Sequence, residues 1–146
     1  MKKFLFIIAT MLAIGTSTTR ADIDTPISAA QLPQKAQVFI KQHFPNREIA
    51  YAKLERDFPG LSYEVILTNS TKLEFNKDGE WKEVDCKYKP VPAAIVPEAI
   101  AAFTTMHYPN VIIVKIDRDS RGYEVDLSNG LELTFDLKFN LIEIDD

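Results

Sequence analysis

The sequence holds 146 residues, 46% of them hydrophobic, with 17 Lys and Arg against 21 Asp and Glu and a single cysteine. That length supports one compact domain with its own core and is short for two independent ones. The acidic balance, −4 over the whole chain, repels a phosphate backbone, and no basic stripe with interleaved aromatics offsets it, so nucleic acid is excluded as an expected partner.

The chain opens on an export signal. Lys2 and Lys3 precede an apolar run from Phe4 to Ile14, then small and polar residues up to Ala21, where cleavage is predicted. The run is too short to span a bilayer as a helix, so no membrane span is expected. No cysteine directly follows it to accept a lipid there, which predicts a periplasmic protein that is not a lipoprotein. Loss of Lys2, Lys3 and Arg20 reduces the 17 basic residues to 14 against 21 acidic ones, a charge of about −7 for the mature domain 22–146.

From Ile27 onward the chain says nearly the same thing twice. ISAAQLPQKAQVFIKQHFPN (27–46) returns as VPAAIVPEAIAAFTTMHYPN (91–110), AKLERD from Ala52 as VKIDRD from Val114, and YEVILTN from Tyr63 as YEVDLSN from Tyr123. LEF from Leu73 recurs as LTF from Leu133, and WKEVD from Trp81 as LIEID from Leu141. A period of roughly 60 residues implies a duplicated supersecondary unit, 27–86 and 91–146.

In each unit a proline, Pro33 or Pro97, suits the start of a helix whose apolar residues fall at helical spacing, Ala36, Phe39, Ile40 and Phe44 in the first, Ile100, Phe103 and Tyr108 in the second. Pro45 and Pro109 end the two helices, predicted at about twelve residues each, because the residue before proline is driven out of helical geometry. The segments after each helix alternate with period two. They predict strands with Ala50, Ala52, Leu54, Ile112, Val114 and Ile116 on the apolar side, and Tyr63, Val65, Leu67, Tyr123, Val125 and Leu127 beside them. Asn129-Gly130 predicts a tight two-residue type I′ hairpin, and Asp78-Gly79 a second turn. Each unit is thus a helix and four antiparallel strands. The fold class is α+β, with about eight strands in one curved sheet and both helices on one face.

Few residues invite catalysis. His43 and His107 close their helices, where the dipole favours a positive ring, and neither has a second ligand at metal spacing. Cys86 cannot form an internal disulfide and reads as a buried apolar residue. No nucleophile elbow, P-loop or dinucleotide fingerprint is present, and Asn76–Glu80 lacks the twelve-residue ligand series of a calcium loop and reads as a hairpin turn. No enzyme, cofactor or metal site is expected on this count.

The open side of the sheet remains. Strict alternation places Tyr51, Lys53, Glu55, Glu64, Ile66, Lys72 and Glu74 there in the first unit, with Trp81 joining them. In the second it places Ile113, Lys115, Asp117, Glu124, Asp126, Glu132 and Asp136, with Leu141. An aromatic residue beside Lys and Glu is the composition of a recognition surface, although solvated strands also carry such residues without a partner.

The doubled motif L-P-x-x-A-x-x-F-I-x-x-x-F-P-N, K-x-E-R-D, Y-E-V-x-L-x-N and L-E-F-x-x-x-G-x-W-x-E-V-D resembles the PepSY-like proteins, described as β-lactamase-inhibitor-like, over about Ile27 to Asp146. The resemblance implies an exported bacterial protein with two α-β4 units forming one concave sheet; PepSY domains also occur in metalloprotease propeptides, which adds a protease-restraining role. It carries no inhibitory residue over to this chain, because fold alone does not fix function. Two functions are therefore expected. The first is a non-catalytic, monomeric binding module that engages a periplasmic protein or peptide, as inhibitor or regulator of an envelope enzyme, through Tyr51, Lys53, Glu64, Trp81, Lys115, Asp126 and Glu132. The alternative is a binder of a small cationic ligand or divalent ion on Asp117, Glu124, Asp126, Glu132 and Asp136.

Overall fold

The computed structural model describes residues 24–56 and 60–146. The export signal and its cleavage point lie outside the described residues. Strand β1 (Thr25–Pro26) and a 3-10 turn (Ala29–Gln31) lead into helix α1 (Gln34–His43), and then come β2 (Ile49–Glu55), β3 (Ser62–Leu67), β4 (Lys72–Asn76) and β5 (Trp81–Asp85). Helix α2 (Glu98–His107) precedes β6 (Ile113–Arg118), β7 (Gly122–Leu127), β8 (Glu132–Asp136) and β9 (Leu141–Asp145). All nine strands form one antiparallel sheet in chain order. The ninth strand beyond the expected eight is β1, which pairs Thr25 with Leu54 and Pro26 with Lys53 at the edge.

Both helices lie on the same side. Leu73, Val84, Ile116, Val125 and Leu133 face one another across consecutive strands and are fully buried, so they mark one face of the whole sheet. Phe75 and Phe135 stand on that face two residues further along their strands. Phe39 of α1 meets Phe75 edge to face at 5.5 Å, and Phe103 of α2 meets Phe135 at 5.4 Å in the same geometry. Each helix has ten residues rather than twelve, because the preceding proline serves as N-cap and Phe44 and Tyr108 already leave helical geometry.

Two expectations need correction. The Asn129-Gly130 turn is not type I′: only Gly130 has positive φ (90°), and Leu127 N–H donates to the Leu131 carbonyl at 2.8 Å across a three-residue loop. Ser70, Gly79 and Phe139 hold the matching position in the other hairpins, at φ 70°, 87° and 65°. Second, strict alternation fails four times. The pairing shifts between Ile49 and Tyr51, between Ile113 and Lys115, and opposite Glu74/Phe75 and Thr134/Phe135. Each bulge adds one residue and turns the side chains beyond it to the other face.

Candidate functional site

The bulges decide which side chains share the open face. Opposite Glu74/Phe75 the extra residue puts both Trp81 and Val84 on the helix side, where Trp81 lies 6.5 Å from the Phe39 ring and under the Arg118 guanidinium, 3.9 Å from its centroid. Arg118 Nε donates to the Trp81 carbonyl at 2.7 Å. Trp81 is therefore not on the open face where alternation places it. Leu141 and Ile113 likewise pack toward the core rather than outward. Tyr51, Lys53, Glu64, Lys115, Asp126 and Glu132 do stand on the open face, as cross-strand pairing shows.

Two rows of side chains cross that face. In one, Lys53 faces Glu64, which faces Glu74, then Glu83, Asp117 and Glu124 on successive strands. Five carboxyl groups thus stand side by side, an arrangement that by itself destabilises a sheet. In the other, Lys72, Asp85, Lys115 and Asp126 alternate in sign before Glu132. Lys72 lies 3.7 Å from both Glu64 and Glu83, and Lys115 lies 3.6 Å from Glu83 and 3.4 Å from Asp117. Burial works against charge on Lys115, yet Asp117 and Glu83 hold its ammonium well above the usual lysine range.

Toward β8 the lysines stop. Glu124, Asp126 and Glu132 each bring a carboxylate oxygen within 4.8 Å of the others. Burial, then the Glu132 charge, pushes Glu124 up to about 7, and burial with the Glu132 charge raises Asp126 despite Lys115. Asp126 Oδ1 is out of solvent and has no hydrogen-bond partner among the described residues. Further along the rows, burial and then Glu83 push Glu74 up to about 7, and burial brings Asp117 to about 6. Asp136 does not join the cluster, because its carboxylate accepts from Lys138 N–H, Asn140 N–H and Asn140 Nδ2 in the β8–β9 turn.

The first half has no counterpart to this cluster among the described residues. The pairing of β3 with β4 places Glu64, Ile66 and Lys72 where β7 and β8 place Glu124, Asp126 and Glu132. All three acids of the cluster are legible from the sequence; Glu83 is not among the expected site residues, although alternation from the core-facing Val84 already turns it outward and the bulge at Lys82 reverses only Trp81. A groove of about 570 Å³ adjoins the cluster, lined among others by Glu74, Glu83, Asp117, Arg121, Tyr123 and Glu124.

The histidines and the cysteine stand elsewhere. His43 stacks on Phe39 at 4.6 Å and His107 on Phe103 at 4.3 Å, both on the helix side. Burial lowers the His43 pKa, which overrides the helix-end preference for a positive ring. Cys86 is buried, and its thiol is pushed up to about 11 by that burial, so it is an inert packing residue. No described helix is long and apolar enough to cross a membrane.

The carboxyl rows set the pH dependence of stability. For Glu74, Asp117 and Glu124 the folded pKa exceeds the unfolded value, so the folded state holds more protons as these groups titrate. Their contribution is fully present below the unfolded pKa and is lost as pH rises through about 6 to 7. His43 works the other way below its usual pKa, as one group against three. In metal-free buffer the melting temperature is expected to be higher at pH 5 than at pH 7.5, and Glu124→Gln should flatten the difference. Thermal melts across that range check it.

The family model described as "Putative beta-lactamase-inhibitor-like, PepSY-like" matches residues 20–58 and 61–143. The chain belongs to the PepSY-like family. Among solved structures, this PepSY-like chain is 54% identical to "a putative periplasmic protein" of Bacteroides vulgatus, with a TM-score of 0.84 over 86% of this chain and 99% of that one. It is 57% identical to "a putative calcium-regulated periplasmic protein" of Bacteroides thetaiotaomicron, with a TM-score of 0.82 over 84% and 97%. A second Bacteroides vulgatus structure, "a putative periplasmic protein of unknown function", is 40% identical, with a TM-score of 0.81 over 86% and 100%. No curated protein matches the sequence.

Proposed function

We propose that this chain is an exported, non-catalytic periplasmic binding module whose open sheet face takes cations, with a calcium ion held by Glu124, Asp126 and Glu132. The observation that carries this is the meeting of three carboxylates from two neighbouring strands, against the one lysine, Lys115, that faces Asp126, with one Asp126 oxygen buried and unpartnered. A hard, oxygen-seeking divalent cation supplies the missing partner and relieves the repulsion between the carboxylates. The calcium-regulated description of the Bacteroides thetaiotaomicron relative supports the same ion. The two halves are read as copies of one α-β4 unit of the β-lactamase-inhibitor-like kind, of which the second carries the ion.

A basic peptide or protein segment is the second ligand class, supported by the groove beside the cluster and its row of carboxyls. An inhibitor or regulator of an envelope enzyme would use that groove, with calcium setting its charge. The two classes separate by experiment. Calcium sites of extracellular modules bind at about 0.1–1 mM, and ligand at ten times Kd stabilises by about 1.4 kcal/mol, a rise of about 5 °C in Tm for a domain of this size. Asp126→Asn should abolish that rise while leaving the calcium-free melt nearly unchanged. No calcium shift in the native protein, together with capture of a basic protein from periplasmic extract, would favour the second class instead.

A further inference from the structure

The sheet ends on β9, and among the described residues no strand pairs with its outer edge. Its counterpart β5 is covered there by β6: Val84 faces Ile116 and Glu83 faces Asp117. Both members of the Val84–Ile116 pair are fully buried, whereas Ile144, which stands on β9 as Val84 stands on β5, is 50% exposed. β9 is thus an unfinished copy of the β5–β6 junction. The strand equivalent to β6 is β2. Ala52 faces Val65 as Ile116 faces Val125, and Lys53 faces Glu64 as Asp117 faces Glu124.

We propose that the outer edge of β9 accepts the outer edge of β2 from a second copy of this chain, in the register of the β5–β6 junction, and that β1 is the segment that keeps this site closed. In that register Ile144 meets Ala52 and Glu143 meets Lys53. Leu141 meets Leu54, the positions at which Trp81 and Arg118 stack within one chain. The like-charged Glu83–Asp117 pair becomes an ion pair and the cation–aromatic contact an apolar one, so the two edges match in charge and in apolarity.

β1 already sits on the edge that β9 would use. Thr25 and Pro26 pair with Leu54 and Lys53, Ile27 N–H donates to the Ala52 carbonyl at 2.9 Å, and Asp24 holds Lys53 Nζ at 2.9 Å. Ile27 packs against the core where Ile144 of a second copy would come. A two-residue strand containing proline is a short guard of the kind that keeps sheet edges from pairing. Because β9 and β2 are different surfaces at opposite ends of the sheet, their pairing is head-to-tail and does not close on itself, so it yields open chains.

The test is sedimentation of three folded mature proteins over a wide concentration range. The native protein should remain largely monomeric. A variant with Asp24→Ala and Ile27→Gly, which loosens β1, should sediment faster as concentration rises, and adding Ile144→Lys should return it to monomer. If the loosened variant is unfolded by circular dichroism, Asp24→Ala alone should show the same trend more weakly. A folded loosened variant that stays monomeric throughout would overturn the proposal, as would association that survives Ile144→Lys or that equals association of the native protein.

Discussion

Phe75→Ala should cost about 3–5 kcal/mol, a fall of roughly 12–20 °C in melting temperature, because it removes a fully buried ring from the centre of the core. Phe75 stands on β4, and the Phe39 ring lies edge-on against it at 5.5 Å. Truncation leaves a cavity that neither the helix nor the hydrogen-bonded strands can collapse to fill, and it strips Phe39 of its edge-to-face partner. Phe39→Ala should cost less, since its ring is half-exposed beside His43. Denaturant unfolding of the two variants checks the order. Equal losses would mean that the helix face rather than the sheet face carries the core. The loss matters because small domains have about 5–15 kcal/mol to spare.

Gly122→Ala should cost about 4 kcal/mol or more. Gly122 opens β7 at φ 154°, and a Cβ there would stand 2.0 Å from the Phe135 carbonyl oxygen and 2.9 Å from Asp136 Cα. Both obstacles are backbone of the paired strand, so relief requires parting β7 from β8. Ser62 holds the matching place on β3 without positive φ, opposite Asn76 as Gly122 is opposite Asp136. The preceding connection has three residues, 119–121, before Gly122 and six, 56–61, before Ser62. The shorter one is closed by Asp119 N–H donating to the Gly122 carbonyl at 3.0 Å, so Gly122 belongs to a tight turn as well as to its strand. Failure of Gly122→Ala to express as folded protein, beside a normal Ser62→Ala, is the expected result. Separation of β7 from β8 would also scatter Glu124, Asp126 and Glu132, so any surviving protein should lose calcium binding with its stability.

Much of the architecture is legible because it rests on strong local signals. The prolines bracketing each helix, and the alternation in YEVIL and YEVDL, place α1, α2, β3 and β7 correctly. The bulges escape notice for a physical reason. Ala50, Lys82, Val114 and Ile142 are ordinary strand residues, and nothing in their chemistry marks the extra residue that reverses the faces around them. Alternation misplaces Trp81 on that account, whereas Glu83, next to the core-facing Val84, points outward with or without the bulge. The matched phrases AKLERD and VKIDRD mislead as well. Lys53 stands across from Glu64, whereas Lys115 stands across from Asp126, one row away. The position equivalent to Lys53 is Asp117. That exchange of a lysine for a carboxylate, with Ile66 and Lys72 matched by Asp126 and Glu132, concentrates negative charge on the second half. It is a tertiary consequence of register, invisible to a comparison of phrases.

A calorimetric titration of calcium into the purified mature protein tests the cation site most directly, run beside Asp126→Asn and at two pH values. One site per chain is expected, with a Kd of about 0.1–1 mM. Affinity should rise between pH 6 and 8 as Glu124, held near 7, releases its proton to solvent and leaves a carboxylate for the ion. Asp126→Asn should show no binding heat. Absence of binding by the native protein at pH 8, or unchanged binding by folded Asp126→Asn, would contradict the assignment of calcium to these three carboxylates.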